Sequence, residues 1–124
     1  MNTKNTIRIN DDSVDLSVSV FLFREDETYI AYCPSLDISG YDKTEEGAKA
    51  DLEYMLKSWA KEQLTNGTIR EDLEVHGWKV GSTVAREPSV QDLVRKGRPS
   101  NSILSLPEFR KTNISTGVLC HEYV

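Results

Sequence analysis

Long apolar runs are missing from this sequence. No stretch approaches the roughly 20 apolar residues that a membrane-spanning helix needs. The opening MNTKNTIRINDD contains no apolar segment of the kind an export signal carries. Both features lead to the expectation of a cytoplasmic protein. Cysteine is scarce: Cys33 and Cys120 are far apart in the chain, so ordinary reduced residues are expected rather than a disulfide framework. The two histidines, His76 and His121, are equally dispersed, and Cys120-His121 alone is too little for a metal site. There is no Gly-x-Ser-x-Gly elbow and no phosphate-binding glycine loop. No catalytic residue, metal or cofactor is therefore expected.

What is present fits one domain. A chain of 124 residues with 38% hydrophobic and 28% charged residues is long enough for a single core without staples. The net charge of −5 is unevenly spread. Residues 1–78 hold 8 Lys and Arg against 16 Asp and Glu, whereas residues 79–124 hold 7 against 4. An acidic surface repels phosphate, so direct nucleic-acid binding is not expected, and a basic protein partner suits the charge better. The run Arg95-Lys96-Gly97-Arg98 reads as a solvated basic turn.

The hydropathy pattern predicts an α+β fold, a small antiparallel sheet with one main packed helix. The first dozen residues read as a frayed polar start. Val14, Leu16, Val18, Val20 and Leu22 alternate with polar residues, which predicts a strand with one buried face. Phe21 and Phe23 lie on its other face and call for a cover there. A hairpin across Arg24–Thr28 leads to a strand at Tyr29–Cys33, stopped by Pro34, and a short strand follows at Ile38–Tyr41. Gly40 marks a bulge, a plain turn or a close backbone approach. A helix is predicted from Glu45 to Asn66, capped by Thr44, with Ala48, Leu52, Met55, Leu56, Trp59 and Ala60 as its apolar stripe. Gly67 ends it. Thr68 and Glu71 read as a capping box for a short helix through His76, and Trp78-Lys79-Val80 as a further strand. Beyond Gly81 the expectation is two helical turns over Ser89–Lys96, with Val90, Leu93 and Val94 inward. A loop over Arg98–Pro107 and a tail strand within Phe109–Val124 complete the chain. The chain divides on this reading into residues 1–84 and an irregular extension, residues 85–124.

The segments Tyr29-Ile30-Ala31-Tyr32-Cys33-Pro34-Ser35-Leu36 and Gly40-Tyr41-Asp42-Lys43-Thr44-Glu45-Glu46-Gly47-Ala48 resemble the HicB antitoxin family. The shared pattern is an aromatic strand ending in Pro, a small residue and Leu, then Gly, Thr, an acidic pair and a helical Ala. The resemblance covers roughly residues 14–80. It implies a degraded ribonuclease-H-like domain whose relatives neutralise HicA toxins, small basic RNA-cleaving proteins. Gly47 departs from the pattern, where Glu or Ala is usual. Residues 85–124 show neither a helix-turn-helix nor a ribbon-helix-helix, so the chain resembles the branch without a C-terminal DNA-binding domain.

On this reading the protein is a non-catalytic binding module. Asp37, Asp42, Glu45 and Glu46 are the candidate partner-binding residues, expected at one end of the sheet and facing a basic toxin by charge complementarity. The tail after residue 108 has no evident mate within the domain and is expected to drive homo-oligomer formation. Two alternatives remain: a metal-dependent nuclease using Asp15, Asp37, Asp42 and Asp51, and a regulatory module with a different protein partner.

Overall fold

A computed structural model describes residues 5–96 and 109–119. Expectations concerning residues 97–108 and 120–124, among them the Arg98–Pro107 loop and Cys120, lie outside the described residues, as does the inward placing of the Val94 side chain. The described chain runs β1 (Thr6–Ile9), β2 (Ser13–Glu25), β3 (Thr28–Cys33), β4 (Ile38–Asp42), α1 (Glu45–Asn66), α2 (Ile69–Val75), β5 (Lys79–Val80), β6 (Val84–Arg86), α3 (Val90–Arg95) and β7 (Arg110–Leu119). The strands form one sheet in the order β4-β3-β2-β1-β6-β5, with β7 also paired to β2. Every pairing is antiparallel. The α+β class, the small antiparallel sheet, the main helix and the C-terminal strand are as the pattern predicts.

The thirteen-residue β2 organises the sheet. β7 runs along residues 13–22 of one edge. The other edge is shared, with β1 at Val14–Leu16 and β3 at Phe21–Glu25. The even-numbered residues Val14 to Leu22 join Ala31, Ile114 and Val118 in the core beneath α1. On the opposite face Phe21, Phe23 and Ile30 form a second cluster, covered by Val90 of α3 and by Phe109, whose ring centroid lies 5.4 Å from that of Phe21. This is the cover that the two-sided apolar end of β2 demands.

Two expectations fail at the ends of the chain. The start is not frayed throughout: Ile7 and Ile9 are buried in β1, which sits between β2 and β6. Two isoleucines among polar residues give too short a pattern to read, and their pairing partner β6 is remote in sequence. The tail strand does have an internal mate. β7 pairs with β2 from Ser13↔Leu119 to Leu22↔Arg110, burying Ile114 and Val118. The argument for self-association through an unpaired tail therefore falls. The boundary between residues 84 and 85 falls inside β6, so residues 84–86 and 110–119 belong to the sheet of the main domain.

α1 begins where Thr44 accepts the Gly47 N–H at 3.0 Å, and ends at left-handed Gly67, whose φ is 69°. Its buried row is Ala48, Leu52, Leu56 and Ala60, one residue per turn. Met55 is 42% exposed and stands outside the predicted stripe, while Trp59 is half-buried and donates its indole N–H to Asp72. The capping box at α2 does not form. Thr68 makes no side-chain cap and instead donates its hydroxyl to Gln63.

The helix seats closely on β3 and β4 because the facing residues are small. At Gly40 an added Cβ would lie 2.3 Å from the Leu52 amide nitrogen and 2.7 Å from the Ala48 carbonyl oxygen. Gly40 is thus the point of close backbone approach, and no side-chain rotation relieves an overlap with backbone. Gly40→Ala should lower stability by at least about 2 kcal/mol, lowering Tm by roughly 10 °C, through displacement of α1. Thermal melting followed by circular dichroism checks this, and an unchanged Tm contradicts it.

Candidate functional site

The four carboxylates expected to act together are dispersed. Asp37 and Asp42 flank the five-residue β4 at opposite ends, roughly 17 Å apart at the usual strand rise. Asp37 has a left-handed backbone, φ 59°, and accepts the Tyr32 hydroxyl at 2.8 Å. Asp42 accepts both the amide and the hydroxyl of Thr44, at 3.1 and 2.9 Å, which locks the turn into α1. Glu45 is ion-paired with Arg110 of β7, so it ties the helix start to the tail strand. Glu46 is exposed. The structure therefore brings Asp42, Glu45 and Glu46 to one corner and leaves Asp37 at the other end of the strand. Sequence proximity misleads here because the residues straddle a strand.

Gly47 gains a reason from this corner. A Cβ at that position would lie 1.8 Å from the Asp42 carboxylate. The glycine that departs from the family pattern thus leaves room for the capping carboxylate.

On the flank of α1 beside β4, Asp51 accepts the Tyr41 backbone N–H at 2.9 Å. That N–H therefore does not bond β3. It points out of the sheet, and Ser39, two residues away, shares its outward direction. β4 is a terminal strand of the sheet, so its outer edge is open apart from this carboxylate. The largest exposed apolar side chains include three around this edge and helix: Tyr41 at 56%, Tyr54 at 69% and Met55 at 42%. Glu46 and Tyr54 are two turns apart on the outward stripe of α1, and Asp51 and Met55 are one turn apart beside it. The corner presents aromatic and thioether surface among carboxylates. Tyr41, Tyr54, Met55 and Asp51 were not predicted as site residues. An exposed residue one position off the stripe carries no distinguishing mark in a linear sequence.

A second polar cluster fills the break in β2. Between β1 and β3, residues 17–20 have no strand on that edge. Glu87 supplies the missing acceptor: Oε2 takes the Ser19 N–H at 3.0 Å and the Ser35 hydroxyl at 2.6 Å. Its Oε1 takes the Ser19 hydroxyl and the Asn5 amide, each at 2.9 Å. Ser35 is fully buried, and its carbonyl accepts the Trp78 indole N–H at 2.8 Å. Cys33 lies 3.5 Å from the Ser35 hydroxyl, and burial pushes its thiol up to about 12, so no thiolate nucleophile forms there. This cluster joins the two halves of the sheet.

Of the carboxylates considered for metal catalysis, Asp42 and Asp51 border the β4–α1 junction. Asp37 is at the far end of β4, and Asp15 sits on the sheet face opposite α1, across from Arg8. Among the described residues no three His, Cys, Asp or Glu side chains are grouped closely enough to hold a metal ion. His76 caps the end of α2, its Nδ1 lying 2.9 Å from the Asp72 carbonyl. No helix among the described residues is long and apolar enough to cross a membrane. Compared with known proteins, the chain matches no family model, no curated protein and no solved structure.

Two outcomes follow from this geometry. Glu87→Ala would strand the Ser19 N–H and the Ser35 hydroxyl and should cost about 3 kcal/mol, with faster hydrogen exchange at the Ser19 amide. Urea unfolding and exchange measured by NMR check this, and slow exchange at Ser19 in the variant contradicts it. The Thr44 amide and hydroxyl hold the Asp42 carboxyl below the ordinary aspartate value of 3.8. A carboxyl depressed in the folded state stabilises fully above its unfolded value and loses that stabilisation as pH falls through the folded value. Carboxyl-carbon NMR should place the Asp42 titration below 3.8, and Asp42→Asn should flatten the stability profile in that acidic window.

Proposed function

We propose that the chain is a HicB-like, non-catalytic binding module acting in the cytoplasm, which neutralises a small basic RNA-cleaving protein by covering it. The observation that carries this reading is the corner where β4 meets α1. Exposed Tyr41, Tyr54 and Met55 stand among Asp42, Glu46 and Asp51 beside an open strand edge. Apolar anchors bordered by charge of one sign suit a partner of opposite charge. A basic surface built to hold RNA phosphates would meet carboxylates in their place. The resemblance in residues 29–36 and 40–48 supports the same reading, because those residues build β3, β4 and the start of α1. The carboxylates Asp42 and Glu46 remain in the proposed contact. Glu45 serves mainly to hold Arg110, and Asp37 lies outside the contact.

The test is inhibition. Added in equimolar amount to a HicA-like ribonuclease encoded beside it, the protein should stop cleavage of labelled RNA. Tyr54→Glu with Met55→Glu should weaken that inhibition at least about tenfold, the scale of losing one anchoring contact, with the circular dichroism spectrum unchanged. Equal inhibition by the double variant, or none by the parent protein, contradicts the proposal. Alone, the protein should cleave neither RNA nor RNA–DNA hybrid with magnesium or manganese. Cleavage abolished by Asp51→Asn would instead establish a nuclease.

A further inference from the structure

The sheet face turned away from α1 carries a different charge from the rest of the molecule. Along β1, β6 and β5, the residues Thr6, Arg86 and Lys79 stand directly opposite one another in neighbouring strands. Arg8 lies two residues along β1 from Thr6, on the same face, opposite Val84. Arg8, Lys79 and Arg86 are exposed and line an open concavity of about 790 Å³ with Thr6, Val80, Gly81 and Val84. No carboxylate forms an ion pair with any of the three among the described residues. The nearest acids do not neutralise the group. Asp15 faces Arg8 across the strand pair without an ion pair, and Glu87 is held by four donors in the break of β2.

Two features show that this is more than a solvated basic surface. Lys79 and Arg86 are a directly opposed like-charge pair, an arrangement that destabilises a sheet unless an anion sits between the charges. The face also continues across β2 and β7 as a run of small polar groups: Ser17, Asn113 and Ser115. Hydroxyl and amide groups there can donate to phosphate and sugar oxygens beside the cations. A strand of phosphates crossing the sheet would meet cations at one end and neutral donors along the rest.

We propose that this face binds the phosphate backbone of a single-stranded nucleic acid, with Arg8, Lys79 and Arg86 as the phosphate contacts. An open sheet with no projecting helix suits a strand laid across it better than the groove of a duplex. Binding would be weak and strongly salt-dependent, because it rests on three charges and lacks aromatic stacking platforms. The site is on the opposite side of the sheet from the proposed protein-binding corner, so the two can be tested separately.

Fluorescence anisotropy with labelled oligo-dT and oligo-rU of about 20 nucleotides tests the proposal. Three phosphate contacts should give a slope of about −2 for log affinity against log salt. Arg86→Ala should reduce that slope by about 0.7 and weaken binding several-fold. Lys79→Glu with Arg86→Glu should weaken it more than about tenfold, while Lys57→Ala on the helix side leaves it unchanged. Without ligand, Lys79→Ala should raise Tm by about 1–3 °C by relieving the like-charge pair, which separates lost binding from lost folding. No binding at about 20 mM salt, or binding indifferent to Arg86→Ala, overturns the proposal. Tighter binding to duplex, or equal binding to polyglutamate, also overturns it, since either result assigns the face to another ligand.

Discussion

The carboxylate of Glu87 closes the one stretch of β2 that no strand covers on its inner edge, and both halves of the sheet depend on it. β1, β6 and β5 hang from one end of β2, and β3 and β4 from the other. Between them the Ser19 amide points into the gap and finds Glu87 at 3.0 Å. A buried N–H left without an acceptor would cost as much as several surface contacts contribute. The same carboxylate holds Ser35 just after β3 and Asn5 just before β1, so one side chain sets the spacing of both half-sheets.

From that division comes the separation of charge. α1 lies over β3 and β4, where Gly40 and Ala31 let it approach, and it brings its carboxylates to that side. The cations Arg8, Lys79 and Arg86 collect on the other side, on the opposite half-sheet. A chain with a net charge of −5 thus carries an acidic apolar corner and a basic polar face. Charge counted along the chain averages the two and hides both.

The corner was partly legible in the sequence. Thr44 as N-cap, Asp42 in the turn before it and the acidic pair Glu45-Glu46 are local features, and local features read well because capping depends on near neighbours. Asp37 was misplaced because a five-residue strand separates it from Asp42, and distance along a strand grows by more than 3 Å per residue. Tyr41 and Met55 were passed over because exposure depends on what packs around a residue. The basic face was invisible for a related reason: its cations come from three strands at residues 8, 79 and 86, none beside another in the chain.

By itself the sequence determined the alternation of β2, the hairpin into β3, the stop at Pro34, and α1 with both of its caps. Each is encoded within a window of a few residues, through side-chain period, a missing N–H or a left-handed glycine. Only the tertiary structure decided that Ile7 and Ile9 form a central strand, that β7 lies against β2, and that Glu87 fills the gap between half-sheets. Those outcomes depend on pairing between segments about 70 to 100 residues apart. An isolated strand carries no information about which edge will receive it, since edge selection is settled by the hydrogen bonds and apolar area that only the assembled sheet provides.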